Sequence, residues 1–188
     1  EVVIESYTGH PKTIYDAVED GIYDVGFSVE AYLPGRFKLS GVAEIPGEIT
    51  DAETGSVALW RTYKDYFEPA DEYEGFQLLG LFVHGPGQLH TKFPVNSLDD
   101  LKDKKMRVGG GLVNDLAERL EVTPVSAPSP KSYEMMQQGV VDGTFLPAQE
   151  QKFCRLSEIS TDRTLFPKGL YTTAFSIVSN QDAFEGLS

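Results

Sequence analysis

One pattern occurs twice in this 188-residue chain, and it constrains the fold more than any other feature. Tyr15-Asp16-Ala17-Val18-Glu19-Asp20-Gly21-Ile22-Tyr23-Asp24-Val25-Gly26-Phe27 is echoed by Tyr133-Glu134-Met135-Met136-Gln137-Gln138-Gly139-Val140-Val141-Asp142-Gly143-Thr144-Phe145. Tyr, Gly, Asp and Phe keep the same spacing, with an acidic residue after Tyr and a β-branched residue after Gly. Each copy reads as an amphipathic helix, a glycine stop and a short buried strand. Ser129 and Pro130 suit the N-cap and first turn of the second helix. Two distant copies do not make a solenoid, which needs several adjacent repeats. They imply two related α/β lobes.

The remaining pattern alternates in the same way. Val57, Trp60, Tyr63 and Phe67 mark one face of a helix. Gln77 to Val83 and Lys105 to Val108 read as strands, the latter leading into a helix with Leu112, Val113, Leu116 and Leu120 on one side. Thr172 to Ser179 reads as a strand followed by a helix capped by Asn180. Such alternation predicts a mostly parallel sheet in each lobe. Ligands of open sheets sit beyond the carboxyl ends of the strands. Asp24–Phe27, Asp142–Phe145 and Arg107–Gly111 follow or end predicted strands and are expected to line one cleft.

Charge narrows the partners. At −13, with an isoelectric point near 4.6, the chain is repelled by nucleic acid and anionic lipid. A bound anion must therefore be held by local cations and dipoles. No apolar run reaches the roughly 20 residues that span a bilayer. Glu1 to Glu5 lack the basic start and apolar stretch of a signal peptide, and the chain does not begin with Met, so a processed or excised piece is expected. The single Cys154 excludes an internal disulfide. It falls in an apparent amphipathic helix, Gln149 to Leu156, as a buried structural thiol.

Arg107-Val108-Gly109-Gly110-Gly111 carries the chemistry. A strand feeds three glycines and then a helix, whose first N–H groups can meet an anion. Arg107 adds a planar fork matched to a carboxylate. The competing reading is a surface arginine beside a flexible turn. A dinucleotide fingerprint fits less well, because Asn114 stands where a third glycine belongs. His84 and His90 match no usual metal spacing, and no nucleophile elbow or Cys–His pairing is present, so neither a metal, a cofactor nor catalysis is expected. Phe145, Tyr32, Tyr171 and Phe175 could close over the apolar part of a ligand. Core packing is the alternative for each, and the stronger one for Phe175.

These segments resemble a known family. Ser97 through Val108, Val122-Thr123-Pro124-Val125, Tyr133 through Gly143, and Asp24-Val25-Gly26 followed by Tyr32-Leu33-Pro34-Gly35-Arg36-Phe37 are similar, in order, to the dicarboxylate-receptor-like receptors of tripartite ATP-independent periplasmic (TRAP) transporters. The resemblance implies an α/β fold of the two-lobed, type II periplasmic-binding-protein kind, truncated at both ends. Lobe I would comprise 1–85 with 173–188 returning to it, and lobe II 86–172. It implies a periplasmic receptor, not an enzyme, that closes on a small carboxylate and delivers it to an integral-membrane permease driven by an ion gradient. The family's carboxylate-clamping arginine falls on Arg107. Where sialic-acid-type members carry a second arginine this chain has Gly87, and Leu146 replaces an asparagine, which favours a smaller or more apolar acid. Gln88 is expected to supply a neutral polar contact, and Gly109 of the glycine turn is expected among the ligand-binding residues. An effector-sensing lobe of a regulator and an enzyme with a phosphate-bearing cofactor remain as alternatives.

Overall fold

The computed structural model describes residues 9–33 and 35–187; Glu1–Glu5, Pro34 and Ser188 lie outside the described residues. In chain order the strands are β1 (Val25–Val29), β2 (Phe76–Val83), β3 (Gly87–Thr91), β4 (Lys105–Val108), β5 (Thr123–Ser126), β6 (Gly143–Pro147), β7 (Asp162–Thr164) and β8 (Ala174–Asn180). The α-helices are α1 (Ile14–Glu19), α2 (Ala52–Thr62), α3 (Leu112–Arg119), α4 (Ser132–Gln137), α5 (Glu150–Phe153) and α6 (Gln181–Glu185).

The two copies of the repeat form the same local structure. After α1, the Gly21 N–H donates to Val18 O and the Ile22 N–H to Ala17 O. After α4, the Gly139 N–H donates to Met136 O and the Val140 N–H to Met135 O. Both glycines are left-handed, with φ of 69° and 71°. A side chain there would cost roughly 1–2 kcal/mol, so glycine ends both helices. One expectation is corrected at α4. Ser129 is not its N-cap: a 3-10 turn, Ser129–Lys131, comes first and Lys131 holds the cap position. Asn180 does cap α6, its side chain accepting the Ala183 N–H at 3.0 Å.

The fold is two-lobed α/β, but its sheets are not mostly parallel. In the first sheet, ordered β1-β8-β2, both described pairings are antiparallel. In the second, ordered β5-β4-β6-β3-β7, β4 runs parallel to β5 and β6, while β3 is antiparallel to β6 and β7. Parallel neighbours need a long crossover, and α3 and α4 supply it for β4, β5 and β6. Only three residues, 84–86, separate β2 from β3, so β3 enters the second sheet against the direction of its neighbours. Local patterning identifies strands but not the direction of the partner.

Apolar burial follows the two sheets. Tyr15, Val18, Leu59, Phe76, Leu81 and Val178 form the core of the first. Leu89, Met106, Val108, Val113, Phe145 and Tyr171 pack on one face of the second, and Met136, Leu146, Cys154 and Leu156 form a separate cluster. Cys154 is buried as a structural thiol, and burial pushes its pKa up to about 11. The face predicted for α2 holds at Trp60 and Tyr63, which pack against the first core, and is corrected elsewhere. Gly55 and Leu59 are its buried residues and Val57 is exposed, while Tyr63–Phe67 leave the α-helix as a π turn. Leu112 likewise faces solvent, and Val113 and Ala117 anchor α3.

The chain passes between the sheets twice, side by side. Gly87 N–H donates to Tyr171 O at 2.7 Å, and Leu170 N–H to Gly87 O at 2.9 Å. Above them, His84 N–H donates to Thr173 O at 3.4 Å. A paired crossing of this kind can flex without unravelling either sheet, as hinges built from a few residues at element ends do.

Candidate functional site

Arg107 lies near the carboxyl end of β4, flanked by β5 and β6, and is only 2% exposed. Its Nε donates to Ala127 O at 2.7 Å and its Nη1 to Phe145 O at 3.3 Å. Among the described residues, no carboxylate lies within ion-pair distance of the guanidinium. A buried cation held only by carbonyl dipoles is costly unless an anion completes it.

Tyr171 is built into the same feature. Its hydroxyl donates to Phe145 O at 2.9 Å, so one carbonyl gathers donors from Tyr171 and Arg107. Burial holds that phenol well above its ordinary pKa, keeping the proton in place. His84, in the crossing, meets the Tyr171 ring edge-on at 5.4 Å and the Phe175 ring at 5.9 Å. Gly109 sits beside the guanidinium, since a Cβ there would come within 3.9 Å of Arg107 Nη2.

The first lobe reaches this region through two 3-10 turns, Glu30–Tyr32 and Leu39–Glu44. The Ser129 N–H donates to the Tyr32 hydroxyl at 2.9 Å, and the Thr172 hydroxyl donates to Ala43 O. Gly110, at φ 120°, lies against Ala31 O, which a Cβ would approach to 2.7 Å. The glycine turn therefore serves as a landing place for the other lobe.

Several expected roles change on these facts. The helix start after Gly111, expected to receive a ligand anion, is taken by the protein's own Glu44, whose Oε2 accepts the Leu112 N–H at 2.8 Å. Phe145 offers its carbonyl; its ring is wholly buried in the second-lobe core and not spread over a cleft. Gln88 grips the backbone of Phe166, accepting its N–H at 2.7 Å and donating to its carbonyl at 3.4 Å. Strand alternation turns Gln88 away from Leu89, the register partner of Phe145. Tyr32 is a strut between lobes. Phe175 stacks on Phe82 at 5.2 Å, the packing role that was the stronger reading. Asp24–Phe27 is the wrong end of β1: Phe27 is 60% exposed, and Val29 leads into the turn that meets the second lobe. His84 was weighed only as a metal ligand; it stands directly after a strand and before Gly85-Pro86-Gly87.

Glu44 gives this contact a pH dependence. Burial pushes its carboxyl up to about 7, against the opposing pull of the Leu112 N–H. A raised carboxyl contributes stability that is full below its ordinary 4.5 and lost as pH rises through about 7. Melting temperatures are therefore expected to fall between about pH 4.5 and 7, and Glu44→Gln should flatten that slope. An unchanged slope in the variant would remove Glu44 as its source.

The bacterial extracellular solute-binding protein family 7 model, DctP, matches residues 1–188. The chain belongs to this family. Among family 7 relatives, the Comamonas testosteroni protein described as outer membrane transporter protein TsaT is 30% identical over 99% of this chain and 56% of its own length. A TRAP periplasmic solute-binding protein from Bordetella bronchiseptica, solved with bound (R)- and (S)-mandelate, is 40% identical with a TM-score of 0.95. The match covers 98% of this chain and 59% of that one. A second, from Rhodoferax ferrireducens with copurified benzoate, is 32% identical with a TM-score of 0.91, over 96% of this chain and 56% of that one. The chain thus spans under two thirds of the length of these relatives. Among the described residues, no helix is long and apolar enough to cross a membrane.

Proposed function

We propose that this protein is the periplasmic receptor of a TRAP transporter, and that it captures a small aromatic carboxylate and delivers it to a membrane permease. The observation that carries the reading is Arg107, buried and free of a carboxylate partner among the described residues, beside the aromatic side chains of Tyr171, His84 and Phe175. A desolvated guanidinium takes a carboxylate through charged hydrogen bonds of roughly 1.5–3 kcal/mol each. The aromatic neighbours suit a flat apolar body better than a sugar rich in hydroxyls. Mandelate and benzoate in the family 7 structures point the same way. Lobe I is assigned to 1–85 with 173–188 and lobe II to 86–172, with closure about the paired crossing. Ligand contacts are assigned to Arg107, Gly109 and Tyr171, with Tyr32 acting at the lobe interface. The role is binding and hand-over, without a catalytic step.

The test is a thermal-shift panel on the full-length protein with benzoate, mandelate and galacturonate. A ligand at a hundred times its Kd stabilises by about 2.7 kcal/mol, enough to move the melting point by several degrees. Benzoate and mandelate are expected to do so. A shift with galacturonate alone would overturn the aromatic assignment.

A further inference from the structure

The imidazole of His84 has a defined protonation pattern, and it follows from one contact. His84 Nδ1 lies 2.5 Å from Gly85 O. A carbonyl oxygen only accepts, so Nδ1 carries the proton. Burial pushes the ring's pKa down to about 4, and the positive charge of Arg107 acts in the same direction. At neutral pH the ring is therefore uncharged, with a single N–H already committed to Gly85. Nε2 is then a bare acceptor. Among the described residues, no donor is recorded for it, and the ring is only half-buried.

The placement of that acceptor relative to Arg107 is set by Tyr171. The His84 ring lies against the Tyr171 ring at an interplanar angle of 84°, while the Tyr171 hydroxyl shares Phe145 O with Arg107 Nη1. Cation and acceptor thus both neighbour one phenol side chain. The imidazole packs edge-on against the rings of both Tyr171 and Phe175. A molecule that puts a carboxylate on Arg107 and also reaches His84 Nε2 must offer it a hydrogen-bond donor.

We propose that His84 is a specificity-determining residue that accepts a hydrogen bond from a ring hydroxyl, making hydroxybenzoates the preferred class over benzoate. This inference rests on the aromatic-carboxylate reading of the site. A hydroxyl satisfies the imidazole's lone pair, whereas a plain aryl C–H leaves it desolvated and unpaired. Discrimination by one such bond is expected to be about tenfold in Kd.

The experiment measures Kd for 3-hydroxybenzoate, 4-hydroxybenzoate and benzoate by titration calorimetry on the full-length protein and on His84→Phe and His84→Gln. Phenylalanine keeps the ring packing and removes the acceptor; glutamine keeps an acceptor and discards the ring. The parent should prefer at least one hydroxybenzoate by about tenfold. His84→Phe should abolish that preference, and His84→Gln should retain part of it. A parent that binds none of the three acids overturns the aromatic reading and this proposal together. A parent that binds all three equally, or a His84→Phe variant that keeps the preference, overturns the role of His84 alone. Should His84→Phe fail to fold, loss of the preference in a folded His84→Gln protein would overturn it as well.

Discussion

Arg107→Ala is expected to weaken binding of the aromatic acid by about 2–4 kcal/mol, roughly thirty- to seven-hundredfold in Kd. Two contributions add to this. The acid loses the charged bonds that the guanidinium supplies, and its carboxylate is left in a site with few other donors. The α3 start cannot compensate, because Glu44 already occupies it. Two carbonyls, of Ala127 and Phe145, also lose a donor, although Phe145 O keeps Tyr171. Titration calorimetry beside a urea melt separates these effects. A variant that stays folded yet binds within threefold of the parent would show that Arg107 is not the clamp.

Gly87→Ala should be the most damaging single-methyl addition near the site, with about 3 kcal/mol lost from folding stability. A Cβ at this position would lie 2.1 Å from Tyr171 Cε1 and 2.6 Å from its Cζ. The ring cannot step aside at low cost. Its hydroxyl is tied to Phe145 O, and His84 and Phe145 flank it. The backbone cannot move easily either, since Gly87 bonds Tyr171 O and Leu170 N–H in the lobe crossing. Urea midpoints measure the loss. In a double-mutant cycle with Tyr171→Ala, which empties the space, the second change should partly relieve the first. Gly87→Ala within 0.5 kcal/mol of the parent, an ordinary surface effect, would show that the crossing is looser than its contacts imply.

Gly87 also shows how far residue patterns reach. From sequence it marked the absence of a second arginine and hence a less polar acid. The structure adds the reason a glycine stands there: the Tyr171 ring fills the space. Gln88, one residue on, carried an equally plausible polar side chain but is committed to Phe166 on the other side of β3. The strand and glycine turn around Arg107 were legible because a strand, a guanidinium and three glycines in succession are all local signals. Glu44 was not, because it comes from a distant segment that packs onto the α3 start only when the lobes meet. The ring of Phe145 was misjudged for a related reason: the end of a strand can be a mouth or a core, and only its neighbours decide.

The sequence by itself determined the two helix–glycine–strand units, the strand that carries Arg107, and a strongly acidic net charge. These follow from backbone preferences and side-chain periodicity within a few residues of each position. Tertiary structure alone decided strand direction, the capture of the α3 start by Glu44, and the packing of His84 against Tyr171 and Phe175. Each of those depends on which distant segments become neighbours, and a local pattern carries no record of that.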